Sequence, residues 1–227
     1  MIGVTENLKL ISDFLAFSAI KADREPESVN LLAVSKKQPV AKIIAAAEAG
    51  QRHFGENFVQ EGLEKIAETR DRNLLWHFIG HLQNNKTRAV AENFDWVHTL
   101  DSLKTARRLS VQRPAVLGPL NVCIQVNVDN EASKSGVSPE ELAPLAASVA
   151  KLEKLQLRGL MCLPITRSDA AMQSLPFARL RKMAESLRAD GVDCDTLSMG
   201  MSGDYDAAIQ EGATIVRIGT ALFGERK

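Results

Sequence analysis

Eight short runs rich in Val, Ile, Leu and Phe alternate with longer amphipathic stretches along 227 residues, and that rhythm predicts a (β/α)8 barrel. The alternation is even from end to end, with no linker or low-complexity tract, so a single domain over residues 1–227 is expected. The dinucleotide fingerprint G-x-G-x-x-G is missing after the first strand, which weakens the competing doubly wound sheet.

An extra N-terminal helix comes first. Leu8, Ile11, Leu15 and Ala19 recur at helical spacing, Thr5 stands as N-cap, and Pro26 closes the exit. Strands follow at 29–35, 52–57, 74–80, 95–100, 121–128, 157–163, 196–201 and 214–219. Between them, 39–50, 57–70, 84–94, 102–112, 138–155, 171–190 and 205–213 are helical by composition and period. Several of these close at a Gly-containing turn, where a left-handed residue ends the helix.

Composition removes some partners. Lys plus Arg (28) equals Asp plus Glu (28), so no excess charge recommends a nucleic acid or an anionic membrane. Aromatic residues make up only 5% of the chain and offer few platforms for stacking bases. Cys123, Cys162 and Cys194 are too widely spaced for a zinc cluster and odd in number, and read as free thiols in a reducing compartment. The N-terminal segment carries Glu6 and Asp13 among its apolar positions and does not read as a signal peptide. A cytoplasmic protein is expected.

The chemistry begins at "NLLAVSKKQP", residues 30–39. Side chains alternate along a strand, so Leu32, Val34 and Lys36 share one face while Leu31, Ala33, Ser35 and Lys37 share the other. The two lysines therefore cannot do the same job. One points into the barrel mouth; parity alone leaves open which, and a solvated pair opening a loop is the plainer reading. Farther on, Ser198, Gly200, Ser202 and Gly203 follow one strand, and Gly219 and Thr220 end the next. Small residues and hydroxyls before a helix N-terminus let backbone N–H groups approach an anion, and loops after the last two strands are a frequent phosphate position in barrels. A lysine facing a phosphate site suggests a phosphorylated carbonyl compound held as an imine, either a sugar phosphate or pyridoxal 5′-phosphate. Arg217 shares a face with Ile215 and Gly219 and favours the second, because a guanidinium there can meet a ring nitrogen. An internal ion pair with Glu56 is its structural alternative.

These residues lie within motifs that resemble the YggS/PROSC family of pyridoxal-phosphate-binding proteins, the PLP homeostasis proteins. The resemblance rests on "LLAVSK", "FGENFVQE", "WHFIGHLQNNK", "VNVDNEASKSGV", "LRGLMCLP" and "LSMGMSGDYDAAIQEGATIVRIGTALFG", which span nearly the whole chain. It implies the barrel of the alanine racemase N-terminal domain and a cofactor lysine at Lys36, forming an internal aldimine, with Lys37 outward. It also implies Ser202, Gly219 and Thr220 as the phosphate cradle and Arg217 as partner of the ring nitrogen. Asn57 is expected to contact the cofactor's substituents, and Met199 or Met201 to pack near the ring unless it is a core methionine. His77 and Phe78 fall on opposite strand faces and read as core residues. His81 and Lys86 are placed at the start of a helix with no assigned reaction. Lys134 reads as a solvated loop lysine, with a second, transient aldehyde- or phosphate-binding lysine as the sharper alternative.

The same resemblance bears on activity. Alanine racemase takes its second acid/base from a tyrosine of a separate β domain, and this chain ends at Lys227 with no such domain after Thr220. The single tyrosine, Tyr205, reads as a packing or surface residue. An arginine beside the pyridine nitrogen keeps it unprotonated and the ring a poor electron sink. The expectation is a monomeric carrier or buffer of pyridoxal phosphate that serves pyridoxal-phosphate-dependent apo-enzymes. A low-turnover racemase or lyase is the alternative, with a Schiff-base aldolase as a third reading.

Overall fold

The computed structural model describes residues 3–131, 135–165 and 169–225, with side chains at 170 and 171 left out. Its eight parallel strands close into a barrel in sequential order. They are β1 (Asn30–Val34), β2 (His53–Glu56), β3 (Leu75–Phe78), β4 (Trp96–Leu100), β5 (Leu120–Gln125), β6 (Leu155–Met161), β7 (Thr196–Ser198) and β8 (Ile215–Ile218). Each predicted strand is present; all are trimmed at one or both ends, but β5 starts one residue early, at Leu120, and β6 two residues early, at Leu155, the last residue of the helix expected over 138–155. The strand predicted at 196–201 stops at Ser198 because Gly200, at φ +94°, turns the backbone away. A Cβ there would stand 2.7 Å from the Ala208 methyl, so glycine is needed at that turn.

The helices are α1 (Val4–Lys21), α2 (Val40–Glu48), α3 (Val59–Glu68), α4 (Thr87–Asn93), α5 (Leu103–Gln112), α6 (Pro139–Val149), α7 (Ala170–Ala189), α8 (Tyr205–Gln210) and α9 (Thr220–Phe223). α1 buries the predicted stripe of Leu8, Ile11, Leu15 and Ala19. Its N-cap is Gly3 and not Thr5, which lies inside the first turn. α6 begins with a capping box in which Ser138 and Glu141 satisfy each other's backbone N–H groups. His81 and Lys86 do not begin a helix: a short 3-10 turn at Asn84–Lys86 precedes α4, which starts at Thr87.

Two cores follow from strand alternation. Outward side chains such as Leu31, Ala33, Phe54, Val97, Val216 and Ile218 pack beneath the helices in one continuous apolar layer. Inward side chains form smaller groups, Leu32 with Ile79 and Ile215, and Trp96 with Cys123 and Met161. All three cysteines are buried and none is in a disulfide. Burial pushes the Cys194 thiol up to about 11 and Cys123 higher still, so both are inert fillers.

Candidate functional site

The cavity at the C-terminal mouth of the barrel, about 300 Å³, is lined by Val34, Lys36, Asn57, Ile79, Met161, Leu163, Met201, Ser202, Gly203, Arg217, Gly219 and Thr220. All six residues expected at the site, Lys36, Asn57, Ser202, Arg217, Gly219 and Thr220, meet there. Leu32 pairs with Arg217 across β1 and β8, so both face inward, and Lys36 continues that parity into the mouth. Lys37 is exposed, at φ +58°. The close approach of β8 to β1 needs a glycine, because a Cβ on Gly219 would stand 3.0 Å from the Val34 carbonyl. Of the two methionines, Met201 lines the cavity while Met199 is buried in the outer core. Lys134 lies outside the described residues.

The loop carrying Ser202 is a tight turn. Met201 N–H donates to Asp204 Oδ1 at 2.6 Å, and Asp204 N–H returns to the Met201 carbonyl at 3.1 Å. Ser202 and Gly203 are thereby held at the rim beside Gly219 and Thr220, which open α9. In a helix's first turn the N–H groups have no partner within the helix, and they point at whatever anion fills the space. Asn57 Oδ1 is buried without a hydrogen-bond partner among the described residues. An orphaned polar atom in a cavity wall asks for a polar group from a ligand.

Arg217 is 4% exposed, and burial is the main pull on its pKa, downward. Nη1 donates to the Ser198 carbonyl at 2.6 Å and to Ser198 Oγ at 2.8 Å, and Nη2 donates to the Cys162 carbonyl at 2.9 Å. Glu56 is not its partner, because Glu56 points outward from β2 with Phe54. That parity was available in the sequence; the register that seats Ser198 beneath the guanidinium was not.

Glu56 instead anchors the lysine turn from behind. Its Oε1 accepts from Ser35 Oγ at 2.6 Å and from Lys65 Nζ at 2.7 Å. Lys65 also donates to the Ser35 carbonyl at 2.7 Å and to Glu61 Oε1 at 2.6 Å. Glu61 Oε1 in turn accepts Lys37 N–H at 2.5 Å. The residues on both sides of Lys36 are thus tied to α3, which fixes where the Lys36 side chain leaves the backbone. Burial raises the Glu56 pKa, while Lys65 and Ser35 oppose that rise. Sequence reading missed Lys65; its spacing of four from Glu61 on a helix was the one available signal.

Below Arg217 a line of polar side chains crosses the barrel interior. His53 Nδ1 lies 3.0 Å from His77 Nε2, His77 Nδ1 lies 2.8 Å from His98 Nε2, and His98 Nδ1 lies 2.8 Å from Ser198 Oγ. His77 also stacks on Trp96, ring centroids 5.3 Å apart. Burial, then the Arg217 charge, drives the pKa of His98 down to about 3. Burial and the neighbouring rings hold His77 well below its ordinary value. A second groove of about 280 Å³, between α1 and the Ser202 loop, is lined by Leu10, Phe14, Tyr205 and other uncharged residues. It offers neither an amine nor a cation and is no rival for a phosphorylated aldehyde.

The fold and site define the class: a parallel barrel with a lysine at the end of its first strand and Gly/hydroxyl loops after its last two. Residues 18–227 match the alanine racemase N-terminal domain. A curated relative from Pseudomonas aeruginosa, the pyridoxal phosphate homeostasis protein, is 54% identical over all of this chain and 97% of its own length. The Escherichia coli protein of the same name is 50% identical over all of this chain and 98% of its own. The chain belongs to the alanine racemase N-terminal domain family, among its pyridoxal phosphate homeostasis proteins. PipY of Synechococcus elongatus with PLP bound is a structural neighbour at 39% identity, TM-score 0.80, covering 92% of this chain and 98% of that one. Alanine racemase from Corynebacterium glutamicum, at 17% identity and TM-score 0.69, shares the fold over 96% of this chain and 62% of its own.

Two outcomes are expected. Lys65→Met leaves Glu56 buried without its cation and should cost about 3 kcal/mol or more of stability. The double replacement Glu56→Leu with Lys65→Met should cost less, and urea unfolding that ranks the double variant below the single one would contradict this account. The second outcome concerns acid. Unfolded histidines take up protons near pH ~6.5, and buried His77 and His98 cannot follow. Their folded pKa values are depressed, so stability is complete above that pH and is lost as pH falls toward the folded values, by up to about 1.4 kcal/mol per ring per pH unit. Unfolding measured at about pH 7.5 and about pH 5.5 should show that loss, and His98→Gln should make it shallower.

Proposed function

We propose that this protein holds pyridoxal 5′-phosphate in the barrel mouth and serves pyridoxal phosphate homeostasis as a carrier, without enzyme-like turnover. The observation that carries this reading is the meeting of one lysine, one buried guanidinium and two Gly/hydroxyl loops on a single cavity. Bound pyridoxal phosphate supplies an aldehyde that condenses reversibly with an amine. Lys36 provides that amine, and it is the one lysine lining the cavity among the described residues. Ser202, Gly219 and Thr220 take the phosphate through hydroxyl and backbone donors. Arg217 faces the ring nitrogen, where a permanent cation disfavours a second positive charge and keeps that nitrogen unprotonated. Asn57 takes a ring substituent.

The carrier reading has its own support. Among the described residues lining the cavity, Lys36 and Arg217 are the only titratable side chains, so the rim presents no second acid/base for the opposite face of a ring. Tyr205 lines the neighbouring groove beside α1 instead. A cation at the ring nitrogen also weakens the electron sink that carbanion chemistry requires. On this reading the barrel works as a cytoplasmic monomer, and its recipients are pyridoxal-phosphate-dependent apo-enzymes. Three buried cysteines outside any disulfide suit a reducing compartment, and no helix among the described residues is long and apolar enough to cross a membrane.

Adding pyridoxal phosphate should give a yellow protein, and borohydride reduction should fix the adduct on Lys36 by peptide mapping. An adduct chiefly on Lys37 would overturn the assignment, and Lys36→Ala should lose the visible band while staying folded. Pyridoxal without phosphate should bind at least tenfold more weakly, because charge-assisted phosphate contacts are lost (roughly 1.5–3 kcal/mol each). To separate carrier from enzyme, the loaded protein is incubated with each common amino acid in heavy water. No α-proton exchange approaching about 1 per second is expected; exchange at that rate would establish the racemase or lyase reading.

A further inference from the structure

The three histidines beneath Arg217 have no role in the cofactor reading. His77 and His98 are fully buried, whereas His53, at the barrel floor, is half-buried. Their contacts have a direction that can be worked out from one end. A guanidinium has donors only, so Ser198 Oγ must accept from Arg217 Nη1. The hydroxyl's single proton then goes to the other neighbour of that oxygen, His98 Nδ1. Were His98 Nδ1 to donate instead, the hydroxyl proton would be stranded in a buried site. A neutral imidazole carries one N–H, so His98 keeps its proton on Nε2 and donates to His77 Nδ1. By the same rule His77 donates from Nε2 to His53 Nδ1, and half-buried His53 keeps its proton on Nε2.

We propose that His53, His77 and His98 form a one-way hydrogen-bond chain, each ring protonated on Nε2, that turns the Ser198 hydroxyl away from Arg217 and so positions the guanidinium with neutral acceptors alone. The consequence concerns charge. A buried arginine is usually met by a carboxylate, which would cancel its charge and offer a proton acceptor beside the ligand. Here the hydrogen-bond partners are two carbonyls and a hydroxyl, and Asp204 acts on Arg217 only through space. Burial opposes protonation at all three rings, the neighbouring rings add to it at His77 and Arg217 adds to it at His98, while Asp95 pulls less strongly the other way at His53. Arg217 therefore keeps its charge on the side that lines the cavity. The histidines are positioning residues. This use of the chain rests on the proposed contact between Arg217 and the ring nitrogen; its direction does not.

The direction is read in the ligand-free, full-length protein by 15N NMR of the histidine rings. His53, His77 and His98 should each show a protonated Nε2 and an unprotonated Nδ1 at neutral pH. A protonated Nδ1 on His98, or mixed tautomers at His77 and His98, overturns the proposal. Arg217→Met removes the donor that sets the direction and should produce mixed tautomers at His98; an unchanged set would also overturn it. The link to the ligand is tested by pyridoxal phosphate titration followed in the visible band. His98→Leu, which leaves Ser198 without an acceptor, should weaken binding by roughly tenfold. His98→Gln, whose carbonyl can accept from Ser198, should restore most of it; equal loss in both variants would make the role one of packing alone and refute positioning. If the wild-type chain shows the predicted tautomers yet binds no pyridoxal phosphate, the proposed function fails and the chain's direction stands.

Discussion

A buried cation without a bonded counter-ion sets the terms for the interior of this barrel. Taking a guanidinium out of water costs several kcal/mol unless its donors are met, and Arg217 is nearly sealed off between β7 and β8. Its partners are the Ser198 carbonyl, the Ser198 hydroxyl and the Cys162 carbonyl. The hydroxyl requires an acceptor of its own, which is His98, and each buried ring that follows needs the next one. A line of polar groups thus crosses an interior otherwise filled by Leu32, Ile79, Ile215, Cys123 and Met161. It runs from the mouth to the half-buried His53.

The opposite face of the first strand solves a different problem. Lys36 must leave the backbone at a fixed point although it sits on a turn, and turns are the mobile parts of a barrel. The Glu56–Lys65–Glu61 cluster grips the Ser35 carbonyl and the Lys37 N–H from α3, outside the barrel wall. Ser35 and Lys36 are neighbours in sequence and serve opposite sides of the sheet. The "FGENFVQE" segment thereby gains a physical account: Glu56 and Glu61 hold the lysine turn, and Asn57 faces the cavity.

Distant neighbours of the same fold, alanine racemases among them, show how little the barrel alone decides. Function resides in what lines the mouth. In this chain the described lining combines one amine, one buried guanidinium and a rim of small residues, and the proposed grip on a phosphorylated aldehyde rests on that set.

Much of this was legible in the sequence. The eight apolar runs, their even spacing and the stripe on α1 determined the barrel and its extra helix, because burial enforces a period of two on strands and 3.6 on helices. The same period grouped Lys36 with Leu32 and Val34, grouped Arg217 with Ile215 and Gly219, and set Glu56 apart from Asn57; the pairing of Leu32 with Arg217 is what put the first two groups on one inner face. Tertiary structure decided the partners. His53, His77 and His98 lie on three adjacent strands, and only the parallel register that sets His53 beside Leu75 and Gly55 beside His77 brings their rings into one line. Arg217 found Ser198 because β7 pairs with β8 through Ser198 and Ile215. Alternation along a strand is a local property and is written in the sequence; register between strands arises from packing the whole sheet into a closed ring, and no single stretch of residues contains it.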